Sequence, residues 1–404
     1  MRVLLSAYAC EPNRGSEPEV GWQRAMSMLA FADEVWVLTR SNNRPVIEAD
    51  PLSYSPGLHF IYYDLPAWAL KLKRRAWFAH IYFVLWQRGA YREAAKWHRD
   101  SPFDCVYHVT FAGMKFGSFM GKLGIPFVIG PVAGGERAPF RLRRRLPIRG
   151  QAAELLRDLG ILIQRFNLLS RSTFAAADRI YVTTAESLKL IPRKWHFKTA
   201  VHLAVATNIR AGQNIERQLP DYPRFVYAGR LIYWKGAHLA IRALAEVRAM
   251  NPSATLTLIG DGPAEEWLRS VVEQCGVANA VEFAGRIPRE QLIEAFSHYT
   301  ALVFPSLHDS GGMVVLEALS QGTPVVCLDL GGPGFIVNAS CGFAAPTAGA
   351  DEHCTVTRIA NAMNFLATMT DDQSAQFSHH AIARANELSW VSLTRTMARH
   401  IDLV

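Results

Sequence analysis

Apolar and polar positions fall into two kinds of block along this chain. Short apolar runs at residues 1–7, 34–39, 58–63, 104–109, 126–129 and 179–183 are bounded by glycine, proline and polar residues, as strands buried on both faces are. Stretches of helical periodicity alternate with them, beginning with the one that runs to Leu29 after the loop ACEPNRGSEPEVGW. In that loop Pro18 suits a first helical turn and Ser16 or Glu17 a cap, which leaves Gly15 beside the end of the first strand. Such alternation predicts α/β architecture with parallel sheets in doubly wound domains.

The second half repeats the pattern with more chemistry at the strand ends. In RFVYAGRLIYWKG, residues 224–236, an apolar strand at 225–228 runs into Gly229 and Arg230, with Lys235 five positions on. Cations at a strand's carboxyl end face the ligand crevice of an open α/β sheet. Arg offers a planar fork and Lys a compact charge, so the two can neutralise a diphosphate. Residues 258–263, LIGDGP, form another strand ending in a glycine turn around Asp261, and VEFAGRIPREQL, residues 281–292, repeats strand, glycine and basic residue at Arg286.

The stretch HDSGGMVVLEALSQGTPVVCLDLGG, residues 308–332, is the most informative. Gly311 and Gly312 let the backbone approach a ligand closely, and the apolar spacing of Met313, Val314, Leu316, Ala318 and Leu319 predicts a buried helix starting at them. Amides of that first turn lack internal partners and sit at the positive end of the helix dipole, which suits an anion. Asp309 and Ser310 precede this end, and Glu317 lies about two turns along it. Carboxylates accept hydrogen bonds from vicinal hydroxyls, the chemistry of hexose and ribose recognition. A helix cap at Asp309 and a buried ion pair at Glu317 fit the same residues.

These four elements, in this order, resemble the nucleotide-binding half of the retaining glycosyltransferases of family four, the group 1 type with the GT-B fold. The resemblance implies two Rossmann-like doubly wound domains facing a central cleft. It implies that Arg230 and Lys235 bind the donor diphosphate, that Asp309 stands where the family has a Glu contacting the donor sugar, and that Glu317 binds the nucleotide ribose. The sequence departs from the family pattern at HDSGG, where EGFG or ESFG is usual. Gly15 corresponds to a glycine loop over the donor phosphates or the acceptor, and an ordinary β-to-α loop fits it too. His108, at a strand end, falls where a family histidine faces the donor sugar, or is an interior imidazole. Glu136, after Gly134 and Gly135, either meets the acceptor or belongs to an ordinary loop. The resemblance further implies transfer of a hexose from a UDP- or GDP-linked donor to a sugar or lipid-linked hydroxyl with retention, in bacterial polysaccharide or glycolipid assembly. The leaving phosphate would take the acceptor's proton. A GT-B epimerase or hydrolase of sugar nucleotides would need acid and base groups aimed at the sugar ring, and a binding adaptor would never turn donor over.

At 404 residues the chain exceeds one core, so two domains are expected. They are placed at residues 1–200, with a terminal helix at 387–404 packing back, and at 201–386, with the hinge near 192–223, where Pro, Asn, Gln and Gly gather. With 50% hydrophobic and 19% charged residues, disorder is excluded. The six cysteines show no zinc or disulfide spacing, and no metal-binding DxD pair is seen, so neither metal nor cofactor is expected. The opening MRVLLSAYACE has too short an apolar run for a secretory signal, which fits a cytoplasmic protein, soluble or peripheral on the inner face of the plasma membrane. The net charge of +8 concentrates in KLKRR, residues 71–75, before the aromatic stretch at 76–91, and in RLRRRLPIR, residues 141–149. Such segments suit an anionic membrane surface, each near-surface charge adding about 1 kcal/mol, or else a core with a solvated rim. No nucleic-acid-binding motif accompanies them, so no nucleic acid is expected.

Overall fold

A computed structural model describes residues 1–72, 76–208, 217 and 221–399. Parts of three predicted features lie outside them: KLKRR at residues 73–75, the hinge at 209–216 and 218–220, and the chain end at 400–404.

The described chain forms two parallel sheets, each in its own compact unit. In the first, β1 (Arg2–Ser6), β2 (Glu34–Arg40), β3 (Leu58–Tyr63), β4 (Cys105–His108), β5 (Phe127–Val132), β6 (Arg179–Val182) and β7 (Thr199–Val201) stand in the order β3-β2-β1-β4-β5-β6-β7. The second has β8 (Arg224–Ala228), β9 (Thr255–Ile259), β10 (Val281–Gly285), β11 (Ala301–Phe304), β12 (Val325–Leu328) and β13 (Gly342–Ala345), in the order β10-β9-β8-β11-β12-β13. The central strands are continuous buried runs such as Val3-Leu4-Leu5 and Leu302-Val303-Phe304, because helices cover both faces. Since every pairing is parallel, all carboxyl ends of a sheet lie along one edge. The order of each sheet reverses once, between β1 and β4 and between β8 and β11, and those two exits are where an open α/β sheet receives ligands.

The first unit comprises Met1–Gly135, Gly160–Val205 and the chain from Trp390, and the second comprises Glu136–Leu159 and Ala206–Ser389. The helix Trp390–Arg399 is fastened within the first unit by buried polar contacts: Arg24 donates to Thr394 Oγ1 at 3.0 Å, Ser27 bonds the same hydroxyl at 2.7 Å, and Tyr107 donates to Met397 Sδ at 3.1 Å. In the helix Ala76–Asp100, Tyr82, Phe83 and Trp86 enter the core with Tyr8, Phe103 and Phe127. The described aromatic rings of the 76–91 stretch therefore pack largely inward and do not form the outward stripe a membrane would need. All six cysteines are free, and no helix among the described residues is long and apolar enough to cross a membrane.

Candidate functional site

In the second unit the switch between β8 and β11 gathers most of the charged candidates. β8 ends at Ala228, and the chain leaves through Gly229, whose amide donates to the Ile259 carbonyl at 2.9 Å. Leu231 N–H donates to the Asp261 carbonyl at 2.7 Å, so Asp261 shapes this turn through its backbone while its side chain is exposed. One 3-10 turn, Tyr233–Lys235, follows and stops at Gly236. Gly236 has φ 77°, and a Cβ there would lie 1.9 Å from the Pro305 carbonyl oxygen. Only glycine lets the Lys235 turn lie directly against the exit of β11, and Asp309 stands four residues beyond that contact.

The consequence is an ion pair between Lys235 Nζ and Asp309 Oδ2. The other carboxylate oxygen, Oδ1, accepts from the amides of Gly311 at 2.9 Å and Gly312 at 3.1 Å. Burial pushes the Asp309 carboxyl up; the Lys235 charge, its hydrogen bond and the two glycine amides outweigh this and keep it below the usual aspartate range. Gly312, at φ 76°, starts the helix Met313–Ser320. Val315 and Leu316 N–H already turn back to the Gly312 carbonyl, which leaves the Met313 and Val314 amides ahead of the helical ladder. Gly331 and Gly332 brace the loop from behind: Gly332 N–H donates to the Asp309 carbonyl at 2.8 Å. Arg230 is exposed and among the described residues has no carboxylate partner.

Glu317 lies farther along the same helix, paired with Arg289 Nε at 2.7 Å. Burial lifts its carboxyl above the usual range despite that guanidinium. Arg289 also lies 3.9 Å from Met313 Sδ. Arg286, the basic candidate of that strand-glycine element, follows Gly285 and is exposed. Arg289 carried no signal in the sequence, since it reaches Glu317 only from the start of the helix Arg289–Ala295. His308, next to Asp309, was passed over as well. Its Nε2 lies 2.9 Å from Glu154 Oε1, both groups are buried, and its ring stacks on Trp234 with centroids 5.5 Å apart. Ser310 follows Asp309 at the turn, partly exposed, as is Val314.

Glu136 is buried in the second unit, with Arg157 Nη2 3.8 Å from its carboxylate and Arg157 Nε donating to its carbonyl at 3.1 Å. Gly15 and His108 belong to the first unit. His108 ends β4 beside Ser6 of β1, and its Nδ1 is 3.0 Å from Ser6 Oγ. Complete burial lowers its pKa to about 4, so the ring is neutral at ordinary pH. Gly15 adopts φ 67° at the start of the helix Ser16–Met28. Near that start lies a cavity of about 540 Å³, with Tyr8, Phe83, Phe111 and Phe116 as apolar wall and Glu17 and Arg40 among its polar groups. Glu17 accepts from the Phe111 amide at 3.1 Å, and Arg40 lies over the Tyr8 ring at 4.6 Å.

Residues 211–365 match the family model for Glycosyl transferases group 1. A glycogen synthase of Mycobacterium tuberculosis (strain CDC 1551 / Oshkosh) is 30% identical over 178 residues, 43% of this chain and 41% of that protein. A D-inositol 3-phosphate glycosyltransferase of Acidothermus cellulolyticus is 37% identical over 116 residues, 26% of each chain. The chain spans less than half the length of these curated relatives. Among solved structures, the lipopolysaccharide outer core galactosyltransferase WaaB aligns over 100% of this chain and 99% of its own, with TM-score 0.60 and 15% identity. The Anabaena protein Alr3699/HepE, solved with UDP and glucose, aligns over 100% of both chains with TM-score 0.58 and 16% identity. Likeness at that identity defines the fold, which is GT-B.

Proposed function

Because residues 211–365 belong to the group 1 glycosyltransferases and the two sheets form a GT-B fold, we propose that this chain transfers a hexose from a UDP- or GDP-linked donor to an acceptor hydroxyl with retention of configuration. The observation that carries this reading is the Lys235–Asp309 pair at the β8/β11 switch, beside the start of the helix Met313–Ser320. Negative charge grows on the departing diphosphate as the anomeric bond breaks. Lys235, Arg230 and the Met313 and Val314 amides are the donors aimed at that charge, and no divalent ion is required of them. Asp309, ionised and tied to two glycine amides, turns toward hydroxyls of the donor sugar. Glu317, exchanging Arg289 for the ribose, receives its vicinal hydroxyls. The neutral His108 ring can accept or donate one hydrogen bond without adding charge.

Retention follows if the leaving phosphate oxygen takes the acceptor's proton on the face from which it departs. The cavity of the first unit, with aromatic rings and a carboxylate-arginine rim, has the chemistry of a sugar-bearing acceptor: rings for the C–H face, Glu17 and Arg40 for hydroxyls. We place the activity on the cytoplasmic side, in bacterial polysaccharide or glycolipid assembly. Lys235→Ala tests the assignment. Turnover should fall about 10² to 10³-fold, or ~3 kcal/mol, with the fold intact by circular dichroism. Wild-type turnover would remove Lys235 from the mechanism, and donor consumption without acceptor would turn the reading toward a hydrolase or epimerase.

A further inference from the structure

Two neighbouring residues of one turn face two neighbouring residues of one loop. The turn Tyr233–Lys235 presents Trp234 and then Lys235, and the chain leaving β11 presents His308 and then Asp309. Trp234 stacks on His308 with centroids 5.5 Å apart and planes 13° from parallel, and Lys235 pairs with Asp309. These contacts are successive rungs of one ladder, so whatever fixes the first sets the span of the second. The backbones are tied as well, Leu307 N–H donating to the Trp234 carbonyl at 2.8 Å. Stacking alone leaves the imidazole free to turn, because its χ2 torsion is soft and ring stacks tolerate many offsets. A directional bond at the ring edge removes that freedom.

Glu154 supplies that bond. It is 2% exposed, and its Oε1 lies 2.9 Å from His308 Nε2. The other carboxylate oxygen, Oε2, is buried without a hydrogen-bond partner, so the acid carries a desolvation cost that one bond only partly offsets. An acid so placed is a poor device for stability and a good one for orienting a ring. Gly150, four positions earlier and on the same helix face, is buried against Tyr233: a Cβ there would lie 3.1 Å from the ring's Cγ. Glycine thus lets the helix Ile148–Gln164 come down onto the turn that carries Lys235. The stretch Glu136–Leu159, which holds both residues, belongs to the second unit with the turn and the loop.

We propose that Glu154 and His308 are positioning residues for transfer: they lock the Trp234 rung and so hold Lys235 where the donor diphosphate binds. The inference rests on the transferase reading and adds to it two residues that act through Lys235. Glu154→Leu should lower kcat roughly tenfold and weaken calorimetric binding of UDP or GDP, whichever the wild type takes, by a similar factor. Acceptor KM should not move, nor should affinity for the matching nucleoside monophosphate, which lacks the terminal phosphate on which charge develops. Glu154→Gln, which keeps a hydrogen bond to the ring, should retain most of both. The decisive readout is coupling. In a Lys235→Ala background, Glu154→Leu should cost less than about twofold further, because the lysine it positions is gone, whereas an acid with a purely structural role would cost the same factor in both backgrounds. Should Glu154→Leu fail to fold, Glu154→Asp makes the same test, since one methylene fewer takes the carboxylate out of direct reach of Nε2. Wild-type kinetics and affinity in the Glu154 variant, or full additivity with Lys235→Ala, overturns the proposal and leaves the transferase reading intact. A wild type that neither binds a nucleoside diphosphate nor turns donor over sinks that reading and this inference with it.

Discussion

The two switch points have the same topology and different chemistry at their strand exits. Between β8 and β11 the chain emerges onto glycine turns bearing Lys235, Arg230 and Asp309, partly exposed and charged. Between β1 and β4 it emerges as Ser6 and His108, buried and neutral, and the nearby loops line an aromatic-walled cavity. A parallel sheet thus fixes where a ligand meets the backbone but leaves its charge to the loops. The charged exit fits a ligand that brings its own charge and develops more during reaction. The neutral exit fits one recognised by shape and hydroxyl groups.

The sharpest way to break this contrast is Lys235→Ala beside Arg40→Ala. The first should cost the 10² to 10³ in turnover given above, whereas the second, in the first unit, should raise the acceptor KM with kcat largely spared. Equal loss of kcat in both would erase the distinction between the two exits.

Next in size is a pair of glycines. Gly236 and Gly15 both have left-handed φ, 77° and 67°, but a Cβ on Gly236 meets the Pro305 carbonyl at 1.9 Å and one on Gly15 meets nothing within 4 Å. Gly236→Ala should lose at least ~2 kcal/mol of stability, from the backbone term plus the clash, and most turnover with it because Lys235 is displaced. Gly15→Ala should lose only the backbone term, ~1 kcal/mol. Thermal denaturation of the two side by side decides it.

Much of the charged exit was legible from the chain because its parts are local. A strand, a glycine and a cation follow within a dozen residues in RFVYAGRLIYWKG, and the helix at Met313 starts where the apolar period begins. What stayed hidden was set by distant packing. Glu154 and His308 are 154 positions apart, and Arg289 meets Glu317 from the start of another helix. Periodicity also leaves the buried face of an amphipathic stripe undefined. The aromatics at 82, 83 and 86 went into the core, while Leu155, Leu156 and Leu159 face outward.

A smaller effect separates the two acids of the second unit. Glu317→Ala should weaken binding of UDP or GDP about tenfold, ~1.4 kcal/mol, in calorimetry and leave acceptor KM alone. Unchanged nucleotide affinity would return Glu317 to a structural ion pair with Arg289.

The last contrast is read as a slope in pH. The folded-state pKa of His108 is about 4 against about 6.5 unfolded, so between those values the unfolded chain takes a proton that the folded chain refuses. Stability should therefore fall as pH drops through that window, by on the order of 1 kcal/mol per unit for each such imidazole. Burial lowers His238 in the second unit too, to about 3, so the wild type carries both slopes. His108→Asn should remove one of them in denaturant titrations across pH; an unchanged slope would mean that His108 is not held neutral by burial.

The central claim is that the cations at the β8/β11 exit act on the donor's diphosphate. A crystal structure with an intact UDP- or GDP-hexose tests it most directly. The account predicts Lys235 Nζ and the Arg230 guanidinium within hydrogen-bonding distance of the diphosphate oxygens, with the Met313 and Val314 amides pointing at the same group. A donor bound with its diphosphate elsewhere, and Lys235 still paired to Asp309 alone, would contradict it.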